Sequence, residues 1–503
     1  MALSQDIIDK YQMTIGIECH VQLATTSKLF SGADNDAREM EPNTATSPID
    51  FGLPGMLPVL NKQAIVLAAR AGKALNSEIA HISRFDRKHY FYPDLPKGYQ
   101  ISQMYQPIII GGHVDAPLLD GDTVRVRIHH AHLEEDAGKL THHGTYSLVD
   151  LNRAGTPLIE VVSEPDIHSA AGAKAFATEL HRLMTYAGVT LGNLYHGNMR
   201  FDVNLSVALK GAAELGTRAE VKNLNSFRSV EKAAEYEFIR QIERLEQGEK
   251  IVQETRGWSD ATGKTTSQRS KEDAQDYRYM PDADIPPVVL SDEDIAEMQA
   301  GMPLLPSYYR ENWASLELDG SVTNTVLNNR TAALLLGDIF PLRANKEVVL
   351  NEFGVDEATY EIMVKKIFNW FASTPEDEID DTKLDDGSVG PRRLLSLAQL
   401  VIDNKLSSTG AKQVFVDFFN ASYEGKSALE IAQAKNLLQE SNEDAIISIV
   451  QEVLNDPSSA QSIADIKAGQ DKAIGFLVGQ VMKKSQGKAN PALAQKLIRQ
   501  ELA

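Results

Sequence analysis

The sequence predicts an α+β protein whose first half is built on a large, mostly antiparallel sheet and whose second half is helical. Up to about Pro287 the chain is rich in Gly, Pro, Asn and Asp, with short β-like runs between them. Beyond Ser291 the apolar residues recur three or four positions apart. The first pattern is typical of strands joined by turns, and the second is typical of amphipathic helices.

Short apolar runs predict the strands of the first half, and two longer periodic runs predict helices among them. The strand-like runs are MTIGIECHVQL, QPIIIGG, VRVRIHHAHL, PLIEVVSEP and FDVNLSVAL. The helical runs are KQAIVLAARAGKALN and AAGAKAFATELHRLMTYAG. The segment MPDADIPPVVL follows them. Its prolines Pro281, Pro286 and Pro287 predict a linker that no helix crosses.

Helical periodicity covers most of the second half. It is clearest in DEDIAEMQAGM, SVTNTVLNNRTAALLLG, GPRRLLSLAQLVIDNKL and DAIISIVQEVLND. The last helix has a defined start, because Asn490 can cap it and Pro491 suits the first turn. Leu493, Leu497 and Ile498 then fall on one stripe.

Composition bounds the class of protein. A chain of 503 residues is too long for one core and predicts two to four domains. Hydrophobic residues make up 43% and charged residues 24%, as in soluble globular proteins, and no apolar run is long enough to span a membrane. The single cysteine, Cys19, excludes an intrachain disulfide and a cysteine-rich zinc site, so we expect a reduced, cytoplasmic protein. The net charge of −20 argues against a uniformly basic surface, but it allows a local basic face.

The run from Ile15 to Leu23 contains the first candidate site. In a strand, alternate residues face opposite ways, so Glu18 and His20 point to the same side. A carboxylate and an imidazole on one strand face can begin a metal site. An exposed polar face is the competing interpretation.

Two further acidic segments suit a magnesium ion. In His132-Leu-Glu-Glu-Asp-Ala-Gly-Lys139, three consecutive acids follow an alternating strand, which suits the oxygen ligands of Mg²⁺ and equally suits a solvated turn. In Pro157-Leu-Ile-Glu-Val-Val-Ser-Glu-Pro165, Glu160 lies within an apolar run that we predict to be buried on both faces. A carboxylate there is costly unless it is paired or bound to a metal.

Basic residues near these acids complete a set suited to phosphoryl transfer. Arg87 and Lys88 lie in an aromatic segment, RFDRKHYFYPD, and Arg153 precedes Glu160. Acidic metal ligands with Lys and Arg are the usual groups that neutralise a transferring phosphoryl group. Structural ion pairs are the alternative for each of these residues. Gly263-Lys264-Thr265 is not a phosphate loop, because its spacing and its preceding segment do not fit.

Together these segments resemble the B subunit of the aspartyl/glutamyl-tRNA amidotransferases. The matching phrases span nearly the whole chain: IGIECHVQL, GLPGMLPVLN, FDRKHYFYPDLPKGYQIS, HLEEDAGK, SLVDLNRAGTPLIEVVSEPD, AEVKNLNSF, YRYMPDADIPP and KAIGFLVGQVMKKSQGKANP. The resemblance implies a cradle-like catalytic domain over residues 1–295, a helical domain over 296–425 and a small helical, tRNA-binding tail over 426–503. It also implies a heterotrimer with an amidase-type A subunit and a small C subunit.

The resemblance further implies a reaction and its cofactors. Such a protein uses ATP and Mg²⁺ to activate the side-chain carboxylate of a misacylated tRNA as an acyl phosphate, which ammonia from the amidase-type partner then displaces. The implied metal and cofactor ligands are Glu18, His20, Glu135 and Glu160, with Glu134 as the alternative to its neighbour. Arg87, Lys88 and Arg153, selected above from their position beside the acidic segments, are the predicted catalytic cations. No zinc is expected, because KLFSGADNDAREMEPN lacks the four cysteines that many members have there.

Two other functions stay open at this point. A non-catalytic tRNA-binding scaffold is expected if the four ligands are dispersed. A free-standing ligase acting on a small acid would not need the helical half. For tRNA binding, residues 461–503 carry seven basic and three acidic residues in an otherwise acidic chain, and we expect Lys483, Lys484 and Lys488 to contact phosphates.

Overall fold

The computed structural model describes residues 3–270, 276–341, 346–439, 443–467, 470–485 and 489–502. The chain divides into two compact units, Met1–Pro306 and Ser307–Ala503. The first unit carries the strands and the second is helical, which confirms the predicted α+β class.

The first unit contains strands and five helices. The strands are β1 (Tyr11–Gln22), β2 (Glu78–Ile79), β3 (Ile82–Ser83), β4 (Asp86–His89), β5 (Tyr99–Ser102), β6 (Ile109–Ile110), β7 (His113–Pro117), β8 (Thr123–Glu135), β9 (Lys139–His143), β10 (Tyr146–Asp150), β11 (Pro157–Ser163), β12 (Met199–Leu209), β13 (Ala219–Leu224), β14 (Glu254–Ser259), β15 (Lys264–Ser270), β16 (Met280–Pro281) and β17 (Val288–Val289). The helices are α1 (Gln5–Ile8), α2 (Lys62–Ala74), α3 (Ala170–Tyr186), α4 (Phe227–Glu246) and α5 (Asp292–Gln299).

Ten of these strands form one large sheet in the order β15-β14-β13-β12-β1-β11-β8-β6-β2, with β7 also paired to β8. Among the described strands of this sheet, each neighbouring pair is antiparallel except β13 with β14, which is parallel. The mostly antiparallel sheet is therefore confirmed. Smaller sheets join β16-β4-β5, β17-β3 and β10-β9.

The N-terminal strand β1 lies in the middle of this sheet, between β11 and β12. Its odd-numbered side chains, including Ile15, Ile17 and Cys19, are fully buried and share one core with α3 and α4. Its even-numbered side chains are only half-buried. The alternation seen in the sequence therefore divides the strand into a core face and a polar face, as predicted.

The proline-containing segment near residue 285 belongs to the first unit. Met280–Pro281 pairs with β4, and Val288–Val289 pairs with β3. The segment forms no helix, as its prolines predict. It is not a linker between the two units, because a short strand at each of its ends belongs to the first unit. Asp282 is buried here and binds Arg87.

The second unit is built from helices. They are α6 (Pro306–Trp313), α7 (Gly320–Val326), α8 (Arg330–Ile339), α9 (Lys346–Phe353), α10 (Glu357–Ser373), α11 (Asp381–Asp385), α12 (Pro391–Ile402), α13 (Ser408–Asp417), α14 (Ala428–Ala434), α15 (Glu443–Leu454), α16 (Ala460–Lys467), α17 (Ile474–Lys484) and α18 (Pro491–Leu502). None of the described helices is both long and apolar enough to cross a membrane.

The last helices have a core of their own. Buried apolar residues of α15, α17 and α18, among them Val450, Leu477 and Ile498, pack together. The Asn490 side chain accepts a hydrogen bond from Leu493 N at 3.1 Å, so the predicted cap of α18 is confirmed. Helix α14 instead packs against α12 and α13. The boundary predicted between residues 425 and 426 falls just before this helix.

Candidate active site

The polar face of the large sheet carries a row of ionisable side chains across four adjacent strands. Arg200 of β12 lies opposite His20 of β1, His20 lies opposite Glu160 of β11, and Glu160 lies opposite His132 of β8. Residues directly opposite one another in antiparallel strands have neighbouring side chains. The sheet register therefore assembles a site from residues that lie far apart in the sequence.

Two carboxylates and two imidazoles meet in the middle of this row. His20 Nδ1 lies 3.4 Å from Glu134 Oε1 and 3.8 Å from Glu160 Oε2. His132 Nε2 lies 3.4 Å from Glu160 Oε2 and 3.7 Å from Glu134 Oε2. One ligand atom from each of His20, Glu134 and Glu160 lies within 4.8 Å of the others. We call His20, Glu134 and Glu160 the His20 cluster.

The His20 cluster fits a divalent cation. The Nδ1 atom of His20 is buried and has no hydrogen-bond partner of ordinary geometry among the described residues. At 3.4 Å its contact with Glu134 is long for a hydrogen bond, so the nitrogen is available as a ligand. An imidazole nitrogen with two carboxylates is a donor set used for divalent metals in proteins.

Electrostatics couple these groups strongly. Burial lowers the pKa of His20, but the contact with Glu134 and the negative charges of Glu160 and Glu134 outweigh it and raise that pKa to about 9. Burial raises the pKa of Glu134, but the contacts with His132 and His20 outweigh it and hold that pKa well below the usual range. Without a metal, the negative carboxylates of the cluster therefore stabilise the protonated form of the His20 imidazole.

Glu18 belongs to a second, neighbouring group on the same face. It gathers with Asp202 and Glu220, and one oxygen of each lies within 4.8 Å of the others. Asn204 Nδ2 donates to Glu18 Oε1 at 2.9 Å, and Lys222 Nζ bridges Asp202 and Glu220 at 2.7 and 3.0 Å. Burial, and then the negative charges of Glu160 and Glu220, raise the pKa of Glu18.

The structure therefore corrects two parts of the predicted ligand set. Glu18 and His20 do share a strand face, but their ligand atoms fall into the two separate groups. Glu135 points to the other face of β8, where its carboxylate accepts from Ile101 N at 2.9 Å and pairs with Lys97. Glu134, the alternative, lies two residues beyond His132 and shares its face, so it takes the place given to Glu135.

Glu160 also lies in a different setting from the one predicted. Its strand is buried on one face, while Glu160 and Val162 on the other face are half-buried. The Glu160 side chain is 17% exposed and faces the polar row. The sequence did not predict this open face, because the β-branched residues Ile159 and Val161 flank the carboxylate and make the run look buried on both faces.

The three predicted cations occupy different settings. Lys88 lies opposite Gln100 in the pairing of β4 with β5, and Gln100 Nε2 donates to the carbonyl oxygen of Glu135, the residue after Glu134, at 2.7 Å. Burial lowers the pKa of Lys88, but the charge of Glu134 and other nearby groups raise it overall. Arg87 donates to Asp282 and Asp284 at 2.7 and 2.8 Å and lies over the Tyr99 ring, so it is engaged in ion pairs.

Arg153 secures the turn after β8. It donates to the carbonyl oxygens of Ala137 and Gly138 at 3.0 and 2.9 Å. It also lies 3.4 Å from Asp136, which accepts a 2.7 Å hydrogen bond from Arg200. The arrangement of Arg153 is that of a residue that holds a turn in place.

Sequence reasoning did not select several residues of the site, namely His132, Arg200, Asp202 and Lys222. The even spacing of His130, His132 and Glu134 was a usable signal, because it put them on one strand face. Arg200 and Asp202 carried no such signal. They join the site only through the pairing of β12 with β1.

Two of the three predicted tRNA-contacting lysines lie at the end of α17. Lys483 and Lys484 are exposed in its last turn, and Lys484 lies 3.3 Å from Glu452. Lys488 lies outside the described residues.

Comparison with known proteins extends over both units. Residues 13–296 match the family model described as the GatB/GatE catalytic domain, and residues 355–502 match the one described as the GatB domain. Proteins named as the B subunit of aspartyl/glutamyl-tRNA(Asn/Gln) amidotransferase are similar along nearly the full length. Those of Persephonella marina and Dechloromonas aromatica are 42% identical over 495 residues and 44% identical over 502 residues. In both cases the alignment covers 98% of this chain, and it covers 100% and 99% of the relative, respectively.

Proposed function

The chain belongs to the family of B subunits of aspartyl/glutamyl-tRNA(Asn/Gln) amidotransferases, and on that premise we propose that it activates and amidates misacylated tRNA. In the proposed reaction, the side-chain carboxylate of Asp-tRNA(Asn) or Glu-tRNA(Gln) attacks the γ-phosphorus of ATP and releases ADP. Ammonia then attacks the resulting acyl phosphate, and inorganic phosphate leaves. The product is the corresponding amide. Phosphorylation is needed because a carboxylate at neutral pH lacks a good leaving group.

The His20 cluster is the observation that carries this proposal. His20, Glu134 and Glu160 would hold Mg²⁺ on the polar face of the sheet. A magnesium ion bound there would shield the repulsion between the substrate carboxylate and the γ-phosphate. Lys88 would add to that shielding as a cation. Burial lowers its pKa, but the negative charge of Glu134 raises it, so the lysine stays protonated.

The other predicted cations support the site in different ways. Arg153 holds the turn after β8 through the Ala137 and Gly138 carbonyls, and so fixes the end of the strand that carries Glu134. Arg87 is engaged with Asp282 and Asp284. We therefore propose Lys88 as the phosphate-facing cation, Arg153 as a positioning residue and Arg87 as a structural residue.

We further propose that the chain works in a cytoplasmic heterotrimer. An amidase-type A subunit would release ammonia from glutamine, and a small C subunit would complete the assembly. The names of the relatives include both Asp and Glu as the esterified amino acid. Either misacylated tRNA is therefore a candidate substrate.

The test is ADP formation by the purified assembly with ammonium chloride as the nitrogen donor. We expect ADP release that requires misacylated tRNA and matches the amide formed one to one. Each misacylated tRNA is assayed separately, with the uncharged tRNA and free aspartate or glutamate as controls. ADP release with the free amino acid would indicate a small-molecule ligase. ADP and amide formation that persist when both Glu134 and Glu160 are replaced with Gln would reduce this chain to a tRNA-binding scaffold.

We expect the C-terminal tail to supply phosphate contacts. Deletion of residues 440–503 spares α14, which packs against α12 and α13. It removes α15 to α18, including α17, the helix that carries Lys483 and Lys484. This deletion should weaken tRNA binding strongly. Lys483→Ala alone should lower the salt slope of binding by roughly 0.7 to 0.9, the value of one phosphate contact. Salt titrations of full-length and altered assemblies measure both effects.

The matched control is Lys412→Ala, because Lys412 donates to the Ser373 carbonyl at 2.7 Å and is already engaged within its own unit. Equal affinities and equal slopes for the deletion and the full chain would show that the tail is not the tRNA anchor.

A further inference from the structure

Four tyrosines form a continuous row at the edge of the first unit. Tyr90 lies 6.2 Å from Tyr277, Tyr277 lies 6.1 Å from Tyr279, and Tyr279 lies 6.5 Å from Tyr105, measured between ring centroids. Each pair meets edge to face, with interplanar angles between 70° and 74°. We call these four residues the tyrosine row.

The tyrosine row is not part of the core. Tyr105 is 64% exposed, and the other three rings are half-buried. Within the described part of the chain, none of the four phenol hydroxyls makes a hydrogen bond. None of these hydroxyls is among the buried polar atoms of the described residues that lack a partner, so the hydroxyl ends of the row lie towards solvent rather than in the core.

Cations lie along the tyrosine row. Lys88 Nζ is 4.9 Å from the centroid of the Tyr277 ring. Arg84 and Arg278 are exposed, and neither guanidinium has an ion-pair partner among the residues described. Arg278 sits between two tyrosines of the row, and its backbone carbonyl accepts a hydrogen bond from His89 Nδ1 at 3.0 Å. Positive charge therefore accompanies the rings, while Arg87 is already engaged with Asp282 and Asp284.

The tyrosine row reaches the proposed catalytic site through Lys88. This lysine contacts Tyr277, and in the pairing of β4 with β5 it lies opposite Gln100. Gln100 Nε2 donates to the carbonyl oxygen of Glu135 at 2.7 Å, directly beside Glu134 of the His20 cluster. A ligand that lies along the row can therefore place its end at the His20 cluster.

We propose that the tyrosine row binds the unpaired 3′ end of the tRNA by stacking its bases on the rings. The proposal rests on the proposed function, because that reaction requires the esterified 3′ terminus to reach the His20 cluster. Aromatic rings interleaved with cations are the usual platform for single-stranded nucleic acid, since every base has a π face and every linkage a phosphate. Lys88 and Arg278 would supply positive charge for the phosphates, as would Arg84, whose backbone N donates to the Gln106 carbonyl beside Tyr105 at 3.2 Å. Protein interfaces also use tyrosine and arginine, so the experiment below separates a nucleic-acid ligand from a protein partner.

The test compares an intact tRNA with one that lacks its unpaired 3′ nucleotides, using the full-length chain in its assembly. The variant is Tyr105→Leu with Tyr279→Leu, which keeps apolar bulk and removes the π faces. Each stacked base is worth a factor of about 5 to 150 in affinity. We therefore expect the variant to bind intact tRNA at least about 5-fold more weakly. Binding of the trimmed tRNA should not change.

Three controls make the outcome specific. Tyr105→Phe with Tyr279→Phe retains the rings and should restore wild-type affinity. Tyr195→Leu alters another tyrosine, 94% exposed, and should leave binding unchanged. Tyr105→Leu alone alters a side chain that is already 64% exposed, and it keeps the test possible if the double variant does not fold.

A fluorescent base gives a direct readout. When 2-aminopurine replaces the terminal adenine, its emission should be quenched on binding to the wild-type chain and recover in the leucine variant. Unchanged quenching, or an equal loss of affinity for intact and trimmed tRNA, would overturn the stacking proposal. So would normal tRNA binding together with loss of another protein of the assembly, which would make the row a protein interface. Failure of the proposed function itself is recognised separately, because the wild-type assembly would then release no ADP with misacylated tRNA.

Discussion

Replacing Glu134 with Gln should lower the rate of ADP formation by roughly 10²- to 10³-fold, the scale of losing one charged group that stabilises a transition state. Glu134 contacts both His20 and His132, at 3.4 and 3.7 Å, so the amide removes the central negative charge of the site. The measurement is single-turnover ADP release with saturating ATP and misacylated tRNA. Glutamine hydrolysis by the amidase-type partner should continue.

The neighbouring substitution Glu135→Gln is the matched control. Its amide oxygen can still accept from Ile101 N, but Lys97 loses its anionic partner. We expect this variant to lose about 1–3 kcal/mol of stability and to keep its turnover while folded. If Glu135→Gln abolished ADP release and Glu134→Gln left it intact, the assignment of the His20 cluster would be wrong.

The second large effect concerns stability. Lys28 is fully buried and lies 3.3 Å from Asp50 Oδ2, whose side chain is 5% exposed. Lys28→Met should destabilise the first unit by about 3–5 kcal/mol, because it leaves the Asp50 carboxylate buried without a counter-charge. The midpoint of urea unfolding, followed by the fluorescence of Trp258 in that unit, measures the loss.

Two comparisons separate ion pairing from mere loss of a lysine. Lys210→Met changes an exposed lysine and should stay within about 0.5 kcal/mol of the wild type. Lys28→Met combined with Asp50→Asn removes both charges and should regain part of the loss. A single Lys28→Met variant with wild-type stability would contradict the role assigned to the pair.

Alternation within one strand was enough to predict part of the site. The polar face of β1 follows from its period of two, so Glu18 and His20 could be placed together without any knowledge of the fold. At the end of β8 the even spacing of His132 and Glu134 was a weaker guide, because Glu134 and Glu135 are adjacent acids and the sequence left the choice between them open. Only the pairing of His132 with Glu160 decides between Glu134 and Glu135.

Residues contributed by distant strands could not be predicted for the same reason. Register between β1, β8, β11 and β12 is a property of the folded sheet, and a shift by one residue would turn each side chain to the other face. The helical second half needed no register. Its helices follow from apolar spacing and caps along the chain alone, as Asn490 illustrates.

The central position of β1 has a consequence for how the protein is made. Its two neighbours in the sheet are β11 and β12. Because β12 ends at Leu209, the first long strand to be synthesised gains its second partner only after 209 residues have been made. At about 5–20 residues per second, roughly ten to forty seconds of translation separate the two. During that interval the apolar face of β1 has no finished sheet to join. Nascent chains shorter than 209 residues therefore lack the completed site, and they expose a strand with an unpaired edge to aggregation and to chaperones.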